Sequence, residues 1–147
     1  MGAIVRFDGD YRFLSNFFPS PIECAGLLYP TVEHAYQAAK ASTPEQAAHI
    51  RAAVSPGEAR RRSHQMGAPP GWAERRLETM VALLNLKFTT HDELRGLLLD
   101  TNDDLLVEGN NWGDNYWGVD GHRGENNLGL LLMQLRANLR AVEIGDQ

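Results

Sequence analysis

The sequence is poor in the features that announce secretion, a membrane or a metal. Cys24 is the single cysteine in 147 residues, so no internal disulfide can form and a reducing compartment is expected. No apolar run nears membrane-spanning length, and the opening MGAIVRFDGD has no apolar core of signal-peptide length. A soluble, cytoplasmic protein with no membrane partner is the expectation. The five histidines are scattered, without His-x-x-x-His or paired-cysteine spacing, so neither a metal site nor a cofactor is expected. There is no Gly-x-Ser-x-Gly elbow, and no Gly-rich turn joins a strand to a helix, which argues against a Rossmann-type nucleotide fold. Positive charge is also scarce. Fourteen Lys and Arg face nineteen Asp and Glu, for a net charge of −5, which argues against general affinity for duplex nucleic acid. It leaves room for a pocket that holds one phosphate.

What is present reads as one compact domain spanning residues 1–147. Hydrophobic residues make up 43% of the chain, enough for a true core. Ala3 to Phe7 reads as a strand followed by a turn at Gly9. Ile22–Cys24 and Leu27–Tyr29 flank Ala25-Gly26 as a hairpin. Pro30 closes the second strand and Thr31 can cap a helix through Lys40. Thr43-Pro44-Glu45-Gln46 and Ser55-Pro56-Gly57-Glu58 are capping boxes with proline at the first helical position, the second helix ending near Met66 at Gly67. A longer helix from Trp72 to Phe88 carries the stripe Ala73, Leu77, Met80, Val81, Leu84 and Phe88. Thr90-His91-Asp92-Glu93 opens another to Leu99. Leu105–Glu108 and Tyr116–Val119 read as short strands. Asn126 or Asn127 caps a final helix with the stripe Leu128, Leu131, Leu132, Leu135 and Leu139. The fold class is α+β, a helix-rich single domain with a few short strands.

Three segments carry chemistry. On a helix from Thr31 to Lys40, residues Val32, Ala35, Tyr36 and Ala39 share a core-facing side. Glu33, Gln37 and Lys40 share the adjacent one at i, i+4, i+7. Such a stripe is either a solvated face or one wall of a site. The loop Gly109-Asn110-Asn111-Trp112-Gly113-Asp114-Asn115-Tyr116-Trp117-Gly118 gathers two indoles, a phenol, amides and a carboxylate, which suits stacking on a heterocycle. It also suits an Asn-Gly turn whose tryptophans belong to the core. Ser15 and Asn16, set beside Phe17 and Phe18, form either a pocket wall or a local turn. Gly124–Gly129 precedes the last helix, where free backbone N–H groups can hold an anion or be capped in the ordinary way. Arg60, Arg61, Arg62, Arg75 and Arg76 are the main basic concentration. Glu58, Glu74 and Glu78 dilute it, and a solvated helix face is favoured over a phosphate clamp.

These segments, in this order, resemble the NADAR family, also called YbiA-like proteins. The motifs are Phe13-Leu14-Ser15-Asn16-Phe17, Pro21-Ile22 and Tyr29-Pro30-Thr31-Val32-Glu33-His34-Ala35-Tyr36-Gln37-Ala38-Ala39-Lys40. They continue through Trp72, Met80, Lys87-Phe88, Leu106-Val107-Glu108, Asp114-Asn115-Tyr116-Trp117-Gly118 and Asn126-Asn127-Leu128-Gly129. The resemblance covers nearly the whole chain, departing at Ala35, often aromatic there, and in the variable turn Cys24-Ala25-Gly26. It implies a YbiA-like fold and an N-glycosidase acting at C1 of a ribose. Two substrate classes follow from it, a ribosylamino-pyrimidine phosphate of riboflavin biosynthesis and ADP-ribose on guanine in single-stranded nucleic acid.

The same resemblance implies Glu33, Lys40 and Asp114 as catalytic residues. Ser15, Asn16, Phe17, Gln37, Trp112, Tyr116, Trp117, Gly118, Asn126 and Asn127 are the expected substrate contacts. Lys40 is either a neutral nucleophile that forms a Schiff base with the ribose or a cation that holds substrate while Glu33 or Asp114 activates water. The other class of function is a non-catalytic module that binds ADP-ribose or a related nucleotide in the same pocket.

Overall fold

The structure, a computed structural model, describes residues 2–145. Its elements run β1 (Ala3–Ile4), a 3-10 helix (Gly9–Leu14), β2 (Ile22–Cys24), β3 (Leu27–Tyr29), α1 (Val32–Ala39) and α2 (Pro44–Arg51). They continue with α3 (Pro56–Met66), α4 (Trp72–Thr90), α5 (Asp92–Leu99), β4 (Leu105–Leu106), β5 (Gly109–Asn110), β6 (Val119–Asp120) and α6 (Asn127–Gly145). Helices dominate and each sheet among the described residues is a two-stranded pair, so the class is α+β. The chain divides into two compact units, one of Asn16–His91 and one made from both ends of the chain, through Ser15 and from Asp92 onward.

In the Asn16–His91 unit, β2 and β3 form the hairpin read from Ala25-Gly26, with Ile22 opposite Tyr29. Thr31 caps α1 by accepting the His34 N–H at 3.0 Å. Thr43 and Ser55 do the same for α2 and α3 through Gln46 and Glu58, and each of these helices has proline in its first turn. Only half of each capping box closes. The Gln46 amide oxygen accepts from the Ser42 N–H, and the Glu58 carboxylate turns to Arg61 and Arg62. Gly67 ends α3 at φ 74°, a left-handed angle that glycine tolerates best. Helices α2, α3 and α4 all pack on α1, so every residue from Val32 to Ala38 is buried.

Helix α4 buries Trp72, Met80, Leu83, Leu84, Lys87 and Phe88. Leu77 and Val81, expected inside, are exposed. The buried arc runs instead through Leu83 and Lys87, one residue round the helix from the expected stripe. Thr90, expected to open the next helix, instead ends α4.

In the other unit, α6 packs on α5 and β4, burying Leu128, Leu132 and Leu135 of α6, Leu94 and Leu98 of α5, and Leu106. Leu131 and Leu139 are half-buried. β1 and β4 pair in parallel, and the pairing continues where Val107 and Gly109 donate to the carbonyls of Ile4 and Val5. The expected strand Tyr116–Val119 shrinks to Val119–Asp120, because Tyr116 and Trp117 give their N–H groups to Asp114 instead of a partner strand. Among the described residues, no helix is long and apolar enough to cross a membrane.

Candidate active site

Helix α1 is the organising element of the Asn16–His91 unit. Its eight residues are too few to be stable alone, so the helix owes its existence to the packing around it. That packing resolves the stripe of Glu33, Gln37 and Lys40. Glu33 is 7% and Gln37 is 3% exposed, so this is no solvated face. A buried carboxylate must be compensated. Gln37 Nε2 donates to Glu33 Oε1 at 2.7 Å, and the Glu33 N–H donates to the Asn16 carbonyl at 3.1 Å. Glu33 also stands in the first turn of α1, where the helix dipole favours negative charge.

Asn16 completes this corner. Its Nδ2 points at Met80 Sδ, 3.6 Å away, which leaves Oδ1 facing elsewhere. Asn16 Oδ1 and Gln37 Oε1 are both buried acceptors without a hydrogen-bond partner among the described residues. Two unmet acceptors beside a buried carboxylate suit a ligand that brings O–H or N–H donors. His34, by contrast, is structural. Both ring nitrogens are engaged, by the Thr31 hydroxyl at 2.9 Å and the Ala53 carbonyl at 3.0 Å.

Lys40 closes α1 as its C-cap and is half-buried. Its Nζ lies 5.6 Å from the Tyr36 ring centre, and Tyr36 packs on Trp72 at 5.4 Å. Burial pushes the Lys40 ammonium below its ordinary value of 10.5. The Glu33 carboxylate opposes that fall, while the guanidiniums of Arg60 and Arg76 add to it. The amine is therefore easier to neutralise than a solvated lysine, although a carboxylate stands within electrostatic reach. Phe17 is exposed on this unit and its ring edge lies beside Gly57.

The aromatic loop belongs to the other unit, and the structure gathers its expected residues there. Asp114 Oδ1 accepts the N–H groups of Tyr116 at 3.1 Å and Trp117 at 2.9 Å. Asn110 binds the Asp114 backbone from both ends of its amide. Tyr116 and Trp117 meet edge to face at 4.8 Å, and Trp112 is 58% exposed. Gly118 has a packing reason. A Cβ there would collide with the Glu108 carbonyl oxygen and the side chains of Asn110 and Glu108. Asn126, at φ 53°, accepts the Glu108 N–H and donates to the Leu106 carbonyl through its amide. Asn127 Nδ2 donates to the Tyr116 carbonyl. The two asparagines thus staple the loop to the start of α6. Ser15 follows the 3-10 helix of this unit and donates its N–H to the Arg12 carbonyl.

Two features escaped the residue pattern. Lys87 is fully buried, its Nζ 5.1 Å from the Phe88 ring centre and 5.9 Å from that of Phe18. Burial brings its amine down to about 7. Its position i+7 from Met80 and i+3 from Leu84 was the available signal. Arg60 and Arg76 are the other feature, because both act on Lys40 instead of lying in a uniformly solvated face. Among the described residues, no group of three or more His, Cys, Asp or Glu side chains is placed to hold a metal ion.

Comparison with known proteins shows the family. The solution structure of the Escherichia coli protein YbiA superposes with a TM-score of 0.85 at 36% identity, covering 97% of this chain and 86% of that one. The model of the NADAR domain matches residues 6–140, and the chain belongs to the NADAR family. A curated relative, "N-glycosidase YbiA" of Escherichia coli strain K12, is 41% identical over 133 residues, 88% of this chain and 82% of the relative. Another, "Riboflavin biosynthesis protein VVA0006" of Vibrio vulnificus, is 34% identical over 139 residues, 90% of this chain and 37% of that longer protein.

Proposed function

We propose that this protein is an N-glycosidase that hydrolyses the bond between ribose C1 and an amine nitrogen, with Lys40 as nucleophile and Glu33 as proton carrier. The observation that carries the reading is the buried Glu33–Gln37 pair on α1, the helix that ends in an amine pushed below its ordinary range. A solvated stripe would need neither the burial nor the hydrogen bond. The names of the relatives, N-glycosidase and riboflavin biosynthesis protein, agree with it.

The chemistry balances without a cofactor. Ring opening of the ribosylamine moves the C1–O4 electrons onto O4 and makes C1 an imine carbon. Neutral Lys40 Nζ adds to C1, the amine nitrogen takes a proton and departs, and a Lys40–C1 imine remains. Water then adds to C1, returning the amine of Lys40 and leaving ribose as its aldehyde. Glu33 receives the proton that Lys40 or water gives up and passes it to the leaving nitrogen. Asn16 Oδ1 and Gln37 Oε1 accept from the hydroxyls of the sugar. In the loop of the other unit, taken by itself, the exposed Trp112 indole is a surface on which an aromatic ring can stack, and Asp114 is a candidate for proton transfer.

Both substrate classes fit, since a ribosylamino-pyrimidine phosphate and ADP-ribosylated guanine each join ribose C1 to an exocyclic nitrogen. A release assay should offer both, with Lys40→Ala and Glu33→Gln as controls. Release from one substrate, lost in both variants, is expected. Release from neither by the intact protein would overturn the reading in favour of a nucleotide-binding module.

A further inference from the structure

Chemistry fixes how the amides around Glu33 are turned. Gln37 must offer its nitrogen to the Glu33 carboxylate, because the flipped amide would press its oxygen against a carboxylate oxygen at 2.7 Å. Its Oε1 is thereby turned away from Glu33, and it has no partner among the described residues. Asn16 repeats the pattern. Its Nδ2 lies 3.6 Å from Met80 Sδ, a weak acceptor, and its Oδ1 is likewise unmet among those residues. Both residues are tied to Glu33 by separate bonds, Gln37 through its side chain and Asn16 through the carbonyl that accepts the Glu33 N–H at 3.1 Å.

Asn16 is 8% and Gln37 is 3% exposed, and an acceptor held in such a place without a donor weakens the fold. The two nitrogens have work in the protein itself; the two oxygens point to a ligand. What they can accept from is limited by charge. A phosphate or carboxylate would bring further acceptors against two amide oxygens and the Glu33 carboxylate. A hydroxyl brings a donor and no charge. Ribose carries hydroxyls on C2 and C3, beside the C1 that Glu33 serves, and 2-deoxyribose lacks the first of them.

We propose that Asn16 Oδ1 and Gln37 Oε1 are specificity determinants that accept from the C2 and C3 hydroxyls and so restrict the site to ribosyl, as opposed to deoxyribosyl, substrates. The assignment rests on the reading of Glu33 as the proton carrier at C1. Discrimination comes from what the wrong sugar leaves behind. A deoxy sugar fills the same space but leaves a buried acceptor unmet, and a site built to bond a hydroxyl rejects the analogue without it far more strongly than an apolar pocket rejects a change of size.

The test is binding, followed through the NMR resonances of the full-length protein. It is titrated with ribose 5-phosphate and with ADP-ribose, each beside the forms that lack the C2 or the C3 hydroxyl of the sugar whose C1 is free. At least one ribosyl ligand should bind saturably, and each of its deoxy forms should bind about tenfold or more weakly. Asn16→Leu removes one unmet acceptor. It should erase the preference for one of the two hydroxyls, keep the other, and melt no lower than the intact protein. A deoxy form of either kind that binds as well as its parent overturns the proposal, as does binding of neither ribosyl ligand. So does an Asn16→Leu protein that keeps both preferences, or one that loses both together with melting temperature, which would assign Asn16 to the fold. The comparison of sugars in the intact chain decides the matter even where Asn16→Leu does not fold. Binding needs no turnover, so the two readings fail separately. A protein that prefers the ribosyl ligand yet releases no base keeps the hydroxyl contacts and loses the glycosidase reading, and one that releases base while binding all the sugars alike does the reverse.

Discussion

One turn of α1 apart, Gln37 holds the Glu33 carboxylate through a 2.7 Å hydrogen bond while both side chains are buried. The bond orients one carboxylate oxygen and leaves Gln37 Oε1 without a partner among the described residues. An amide in place of the Glu33 carboxylate keeps the size and an acceptor oxygen but removes the base. Glu33→Gln should therefore lower turnover by about 10²–10⁴-fold with a melting temperature close to that of the intact protein. A matching loss of melting temperature would assign Glu33 to the fold instead of the chemistry.

Gln37→Leu makes a different prediction. It leaves the carboxylate in place but removes the amide that donates to its Oε1. Losing a hydrogen bond to a charged group costs about 1.5–3 kcal/mol, and the expected outcome is a lower melting temperature together with reduced turnover. Gln37→Glu should do worse on both counts above neutral pH, because two carboxylates would then face each other.

The two roles open to Lys40 give opposite pH–rate profiles. Burial lowers its proton affinity from the ordinary value of 10.5, so the neutral amine becomes available at lower pH than in a solvated lysine. As nucleophile it needs that neutral form, and the rate should climb with pH up to the lowered value and then level. As a cationic clamp it would give a rate that falls over the same range. Borohydride added during turnover should fix substrate carbon to Lys40 and to no residue in Lys40→Ala.

The hairpin, the helix starts at Thr31, Thr43 and Ser55, and the stop at Gly67 were legible because each rests on local chemistry: a cap, a proline or a left-handed glycine. Glu33, Gln37 and Lys40 were legible as a stripe, but periodicity does not say whether a stripe meets water or neighbouring helices. Burial on all sides by α2, α3 and α4 is a long-range fact. Lys87 was hidden for the same reason, since a lysine on an apolar arc reads as the edge of the arc. The loop was the reverse case. Its composition suited ligand binding and an Asn-Gly turn alike, and in the structure Asp114, Asn126 and Asn127 spend many of their polar groups holding backbone. That Arg60 and Arg76 act on Lys40 was not legible, because it depends on how α3 and α4 pack on α1.

Lys87 should make the protein less stable at neutral pH than it is in alkali. Its amine titrates near 7 in the fold and near 10.4 in an unfolded chain. Between those values the unfolded state binds the extra proton, so stability rises with pH from about 7 to about 10.4. Below 7 the penalty is constant and at its largest, on the order of several kcal/mol at ~1.4 kcal/mol per pH unit. Lys87→Met removes the titrating group. It should raise the melting temperature at pH 7 and flatten the rise towards alkaline pH in denaturant unfolding. A variant that melts lower at pH 7 would show that the contacts of the amine outweigh its desolvation.

Asp114 separates architecture from chemistry with two substitutions. Its Oδ1 accepts two backbone N–H groups, a capping arrangement whose loss costs about 1–2 kcal/mol. Asp114→Ala should destabilise the fold by that amount, lowering the melting temperature, and disturb the environment of Trp117, visible in its fluorescence. Asp114→Asn supplies an amide oxygen in the same place, so both stability and fluorescence should return. Turnover then decides the role. If Asp114 only shapes the loop, Asp114→Asn recovers activity along with the fold. If its carboxylate carries a proton, Asp114→Asn folds like the intact protein and remains at least about a hundredfold slower, with the loss appearing in kcat more than in KM. The second outcome is the one expected of a catalytic Asp114.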